Sequence, residues 1–324
     1  MTSTASGEPH FAPAPIASLG WSRLPVEYAI PVTAPSVEEA QAYCERLARS
    51  HYENFSVASW FLPQRLRQHF FNVYTYCRIS DDLGDEVGDT SASLALLDEW
   101  EAELDACYNG NPRHPAFVAL RETVRKFDIP RHEFSDLLRA FRQDQTVTRF
   151  ETFSDVLNYC RYSANPVGHL VLYLCGYRDP ERQQLSDFTC TALQLANFWQ
   201  DVSVDYAKGR IYLPLDDLRR FGVSEEDIAG NRNTPAFCNM MKFEVERARD
   251  WFKQGLPLVG KVDRDLAIDL ELFSRGGQAI LNAIESQGFA VLGRRPTISH
   301  PRKLALVARA GLAKLRGKLG QDRA

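Results

Sequence analysis

The sequence predicts an all-α protein, and three observations carry that expectation. From Ser36 onward, apolar residues recur at spacings of three and four almost throughout. No run of strict apolar–polar alternation marks a strand. Two stretches, Tyr162–Tyr177 and Phe188–Gln200, contain no Asp, Glu, Lys or Arg. A helix that is apolar on every face is buried on every face, either as a central core helix or as a wall of an apolar cavity.

The elements follow in order. Residues 1–35 hold six of the 17 prolines and only three charged residues, and read as a flexible Pro/Ala-rich leader. Ser36-Val37-Glu38-Glu39 is a capping box, with Ser36 as N-cap and Glu39 reaching back. Helices are expected over 36–50, 64–87, 91–108, 113–127, 131–147, 153–176, 181–206, 234–254, 263–291 and 300–318, with short pieces over 55–61, 215–221 and 224–229. Together they make one all-α domain over 36–324. Its last helix, 300–318, is basic: from Arg294 onward there are nine Lys/Arg against one acid. Leu304, Val307, Ala308, Gly311, Leu312 and Leu315 share one face of that helix, which suits contact with an anionic membrane as well as simple packing.

The composition excludes several classes. A formal net charge of −4 over 324 residues is not that of a nucleic-acid binder. Seven cysteines without CxxC spacing read as free thiols of a cytoplasmic protein. No HExxH, GxGxxG, GxxxxGK[ST] or GxSxG occurs, so zinc, nicotinamide, flavin and P-loop chemistry have no signature. The first residues lack the pattern of a signal peptide, and no run reaches the ~18 apolar residues of a spanning helix.

The chemistry is carried by acids that face inward. The apolar stripe of helix 64–87 runs Leu66, Phe70, Val73/Tyr74, Cys77, and steps of four continue it to Asp81 and Asp85. At 100° per residue those two carboxylates lie about 40° apart, with Asp82 and Glu86 beside them. On helix 181–206 a row that starts at Leu193 continues through Asn197, Asp201 and Asp205. Stacked acids at helix C-termini repel one another and oppose the helix dipole. A salt bridge to Arg78 is one way to offset that. Two such ladders favour another, a hard divalent cation such as Mg²⁺, which takes a few carboxylates and leaves room for phosphate oxygens. Lys208-Gly209-Arg210-Ile211-Tyr212 follows the second ladder at once, and Arg suits bidentate phosphate contacts. An apolar cavity with a mouth of acids, metal and arginine fits a hydrocarbon diphosphate, and 36 aromatic residues are available to face a carbocation.

These residues resemble a known family. Tyr74-Thr-Tyr-Cys-Arg78-Ile-Ser-Asp81-Asp82-Leu-Gly-Asp85-Glu86 is similar to the first Asp-rich signature of the squalene/phytoene synthases, and Asn197-Phe-Trp-Gln-Asp201-Val-Ser-Val-Asp205-Tyr-Ala-Lys-Gly-Arg210-Ile-Tyr-Leu-Pro to the second. The likeness runs from about residue 40 to 310. It implies the isoprenoid-synthase helical bundle around a central apolar cavity. It also implies a cluster of two or three Mg²⁺ ions on Asp81, Asp85, Asn197, Asp201 and Asp205. Tyr74, Arg78 and Arg294 match family residues beside the diphosphate, and Tyr159 matches a tyrosine near the cavity. Asn54-Phe55, Ala164-Asn165-Pro166-Val167-Gly168 and Gly277 depart from the common family pattern. They resemble the bacterial hydroxysqualene synthase branch of hopanoid synthesis, which takes presqualene diphosphate. The resemblance then implies a separate presqualene diphosphate synthase upstream and a reductase downstream. Gly277 in place of a bulky residue, and Pro166 in a cavity helix, suggest a wall that admits water. A phytoene or dehydrosqualene synthase, which condenses two prenyl diphosphates and loses a proton, is the enzymatic alternative. A non-catalytic scaffold of the same fold has no reason to keep both ladders and Arg210.

Overall fold

The structure, a computed structural model, describes residues 21–50, 63–299 and residue 308. Among these the architecture is all helical, with one isolated bridge between Arg149 and Ile211. The helices are α1 (Val37–Ser50), α2 (Arg67–Asp85), α3 (Thr90–Asn109), α4 (Pro115–Phe127), α5 (His132–Gln143), α6 (Phe153–Ser163), α7 (Asn165–Leu174), α8 (Pro180–Ala207), α9 (Leu215–Phe221), α10 (Glu225–Ala229), α11 (Pro235–Gly255) and α12 (Arg264–Ser286). Asn54, Phe55, the short piece over 55–61 and the basic helix over 300–318 lie outside the described residues.

Local chemistry accounts for the helix ends. The capping box forms as expected: the Glu39 carboxylate accepts from Ser36 N–H at 2.9 Å, and the Ser36 hydroxyl from Glu39 N–H at 3.3 Å. Asp89, Thr152, Asp179, Thr234 and Asp263 cap α3, α6, α8, α11 and α12 by accepting backbone N–H groups. The helix expected over 153–176 is instead two helices that break at Ala164. Pro166 has no N–H to give, and its ring crowds the preceding turn. The helix expected to reach residue 291 ends at Ser286, where Gly288 and Phe289 take positive φ.

The leader also needs correction, because residues 21–35 are not all detached. Trp21 packs on the core, and Leu24 and Tyr28 are buried in it, Tyr28 within a 3₁₀ turn over Val26–Tyr28. Spaced prolines removed the helical period there, yet apolar side chains between prolines still bury surface.

The core falls into two clusters. The first gathers α1–α5, α7 and the segment at residues 24–28; the second gathers α6 and α8–α12. Helix α2 is tied inside the first. Tyr76 donates to the Phe134 carbonyl at 2.8 Å, and Trp100 donates to the Ser80 hydroxyl at 3.0 Å. Helix α8 is tied inside the second, where Trp199 donates to the Glu244 carbonyl at 3.1 Å. Each acid ladder thus sits on the central helix of a different cluster, and the two helix ends meet at the seam. All seven cysteines are free. Among the described residues no helix is long and apolar enough to cross a membrane.

Candidate active site

The two ladders meet through cations of the loop after α8. Arg210 places both Nη1 and Nη2 3.0 Å from Asp85 Oδ1, and Lys208 places Nζ 3.1 Å from Oδ2. Against the upward push of burial, these two cations hold the Asp85 carboxyl below its ordinary range. On the second ladder, Arg295 pairs with both oxygens of Asp201, with Nη2 at 2.9 Å from Oδ2. Asp205 and Asp81 are differently placed. Burial, then the neighbouring Asp201, pushes Asp205 up to about 7. Burial, then Asp85, pushes Asp81 up to about 6, although its side chain is half-exposed. Asn197, one turn before Asp201, is exposed.

Arg78 is bound to Asp82 rather than to the ladder. Its Nε lies 3.0 Å from Asp82 Oδ2, Nη2 also meets Asp82, and Nη1 stands 3.9 Å from Asp81. Tyr74, one turn earlier, is half-buried, and burial raises its hydroxyl pKa. The sequence reading chose Arg294; both it and its neighbour Arg295 are exposed, and it is Arg295 that pairs with Asp201 of the ladder.

Beside Arg210 lies an aromatic cluster. Tyr212 stacks on Phe198 at 3.9 Å between ring centroids and 7° between planes, with Phe150 at 5.5 Å and Tyr159 at 5.6 Å. Tyr159 donates to Asp144 Oδ2 at 2.7 Å, and Tyr212 approaches Oδ1 at 3.5 Å. Burial pushes Asp144 up to about 6 against the pull of these hydroxyls and Arg210. Sequence reasoning missed Asp144. The signal was present, since Asp144 continues the buried row Leu137, Ala140 of α5 as the ladder acids continue theirs.

The cavity lies between α2, α7, α8 and α12, has a volume of about 250 Å³ and is walled by Phe70, Val171, Cys190, Leu193, Leu270 and Phe273. The charge-free helices α7 and mid-α8 therefore do wall a cavity, as one of their two readings held. Asn165 is buried at the start of α7 and accepts from the Thr191 hydroxyl at 3.1 Å. Gly277 corrects the sequence reading. A Cβ there would stand 2.4 Å from Phe252 Cζ and 2.9 Å from Leu193 Cδ2, so the glycine lets α12 close on α11 and α8 and opens no space for water.

The acid donors at the mouth are oxygens, and the cations near Asp81 and Asp205 do not outweigh burial and the neighbouring acids, which fits a hard divalent cation. In the arrangement described, no three His, Cys, Asp or Glu side chains stand together as a metal-holding group among the described residues. For both ladders to hold one ion, the ion pairs to Arg210, Lys208 and Arg295 would have to open.

An all-helical bundle with an acid- and arginine-rich mouth over an apolar cavity defines an isoprenoid-synthase type of protein. The chain belongs to the squalene/phytoene synthase family, whose model matches residues 34–302. A solved squalene synthase, HpnC from Alicyclobacillus acidocaldarius, is 45% identical, with a TM-score of 0.75 over 83% of this chain and 98% of that one. A dehydrosqualene synthase solved with a ligand is 26% identical, with a TM-score of 0.78 over 87% and 98%. The 15-cis-phytoene synthase of Synechocystis is 30% identical over 83% of each chain. The protein is a head-to-head prenyl diphosphate enzyme of this type, and the family acts on prenyl diphosphates such as farnesyl diphosphate.

Proposed function

We propose that the protein converts presqualene diphosphate and water to hydroxysqualene and diphosphate, with Mg²⁺ as its metal. The observation that carries this reading is the 45% identity to the squalene synthase of Alicyclobacillus acidocaldarius, against 26% to the dehydrosqualene synthase. Asp81, Asp85, Asn197, Asp201 and Asp205 would hold the metal, which when bound neutralises charge on the departing diphosphate. Arg210, Lys208 and Arg295 exchange their carboxylate partners for diphosphate oxygens, and Arg78 adds its Nη1 edge. The carbon–oxygen bond to diphosphate breaks, and the cyclopropylcarbinyl cation rearranges to the 1,1′-linked allylic cation inside the cavity. Water adds to the final cation through its oxygen. Asp144, at about 6 and hydrogen-bonded to Tyr159, is suited to take the proton that water loses.

The test is incubation with presqualene diphosphate, and separately with farnesyl diphosphate, in H₂¹⁸O with Mg²⁺ and no nicotinamide. One heavy oxygen in a C₃₀ alcohol is expected. A hydrocarbon product instead establishes the second reading, a phytoene- or dehydrosqualene-type synthase that ends in proton loss. Two observations favour that reading: the phytoene synthases among the relatives, and the filled space at Gly277. We further propose that the basic helix over 300–318 contacts anionic membrane. Co-sedimentation with vesicles should then require anionic lipid and weaken with salt.

A further inference from the structure

The segment before α1 reaches the site from outside the region that the family model matches, which begins at residue 34. Four polar anchors strap it down. Trp21 donates to Glu99 at 2.7 Å, Arg23 to the Val87 carbonyl at 2.8 Å, and Tyr43 to the Glu27 carbonyl at 3.0 Å. The fourth is buried: Tyr28, 2% exposed, donates its hydroxyl to Asp82 Oδ2 at 2.8 Å. Asp82 is itself buried, and its remaining contacts are the Nε and Nη2 edge of Arg78. With that edge fixed, Arg78 turns Nη1 toward Asp81 and the mouth.

We propose that Tyr28 is a positioning residue of the site: its hydroxyl fixes Asp82, Asp82 fixes one edge of Arg78, and the free edge is held where the anionic head of a prenyl diphosphate sits. The proposal rests on the reading of Arg78 as a diphosphate contact. A carboxylate with three donors has one orientation. With the Tyr28 hydroxyl gone, Oδ2 keeps one partner in a buried place, and the Asp82–Arg78 pair gains freedom to rotate.

Tyr28→Phe keeps the ring and removes the donor. Two readouts apply: steady-state turnover of presqualene diphosphate with Mg²⁺, and hydrogen exchange of the Arg78 Nε–H by NMR without metal or substrate. We expect kcat to fall about tenfold, KM to move much less, and Nε–H exchange to speed up about tenfold, the scale of one hydrogen bond to a charged group. In the background of Arg78→Lys, Tyr28→Phe should cost almost nothing further. Tyr43→Phe loosens the same strap without touching Asp82, and should leave Nε–H exchange as it is. Unchanged exchange in Tyr28→Phe, full additivity with Arg78→Lys, or the same exchange change in Tyr43→Phe each overturns the proposal. A wild type that turns over no prenyl diphosphate defeats the functional reading alone, and the exchange measurement still decides what Tyr28 does.

Discussion

The two acid ladders solve one electrostatic problem in mirrored ways. On α2 the C-terminal acid, Asp85, is neutralised by Arg210 and Lys208, while Asp81 is left short of positive charge. On α8 the N-terminal acid, Asp201, is paired with Arg295, while Asp205 is left short. Each half of the molecule therefore supplies one satisfied and one unsatisfied carboxylate to the seam. In α2 the neutralising cations come from the other half of the fold; in α8 the cation comes from the loop after α12. Fold stability accounts for the paired acids, and the other two are open to an incoming cation.

The largest expected effect breaks that comparison at its unpaired members. Asp81→Asn or Asp205→Asn should each lower turnover on the order of 10²-fold or more, because charge on the leaving group goes unneutralised. Both should raise the melting midpoint of the metal-free protein, since each removes a partly buried, repelled carboxylate. Asp85→Asn and Asp201→Asn should lose comparable activity but lower the midpoint, because Arg210 or Arg295 then loses its partner. Turnover that survives EDTA, or midpoints that move the same way in all four variants, would contradict the division.

Much of this was legible in the sequence because it is periodic. The helices, the Ser36 capping box and both ladders rest on a 3.6-residue period that local residues dictate. Asp144 obeys the same rule and was overlooked because no second acid stands within one turn of it. What the period does not encode is which side chain meets which across the seam. Nothing local distinguishes Arg294 from Arg295, since the turn after α12 decides which of them meets Asp201. Tyr28 lies among prolines in a stretch without period, and its role depends on a carboxylate 54 residues away. Gly277 was read as an absent wall. A glycine marks missing volume equally whether a cavity or a neighbouring helix takes the space, and here Phe252 takes it.

That glycine gives the next effect, in the second half beneath the second ladder. Gly277→Ala places a methyl group against the buried Phe252 and against Leu193, where the row of α8 begins. Overpacking of this kind costs about 1–3 kcal/mol, read as a lower midpoint in thermal or urea unfolding. The product spectrum should not change. An altered ratio of alcohol to hydrocarbon at unaltered stability would restore Gly277 as a cavity wall.

A smaller effect sharpens the comparison through pH. Asp81 and Asp205 have folded pKa values near 6 and 7, above an ordinary value near 3.8. Between those limits each of these two carboxyls binds more protons in the native than in the unfolded state, so their contribution to metal-free stability falls as pH rises from 4 to about 7. Asp144, at about 6, and the buried Glu244, pushed to about 8 chiefly by burial, slope the same way but do not face the metal. Mg²⁺ should therefore raise the midpoint more at pH 8 than at pH 5, and Asp205→Asn should shrink that difference. Equal increments at the two pH values would remove the unpaired acids from the ligand set.

The smallest effect concerns the seam itself, away from the mouth. His169 on α7 bridges the halves, with Nδ1 3.0 Å from Glu133 of α5 and Nε2 2.8 Å from Asp187 of α8. His132 Nε2 also lies 3.4 Å from Glu133, and Asp136 stands on the same helix. Burial pushes the His169 imidazole down, but Asp187 and Glu133 prevail and raise it to about 9. A group with a raised folded pKa adds stability that is complete below its unfolded value, near 6.5, and is lost as pH rises through 9. This window lies above that of the ladder acids, so the two are separable in one titration of the midpoint. His169→Gln keeps a hydrogen bond to one of the two acids and should cost only about 1 kcal/mol at pH 7. The variant's decline between pH 7 and 9 should also be shallower than the wild type's, with Glu244 and the buried thiols supplying what remains, and Mg²⁺ should shift its midpoint as it shifts the wild type's. If the decline between pH 7 and 9 is as steep in the variant as in the wild type, the clamp across the seam is not held by a charged imidazole.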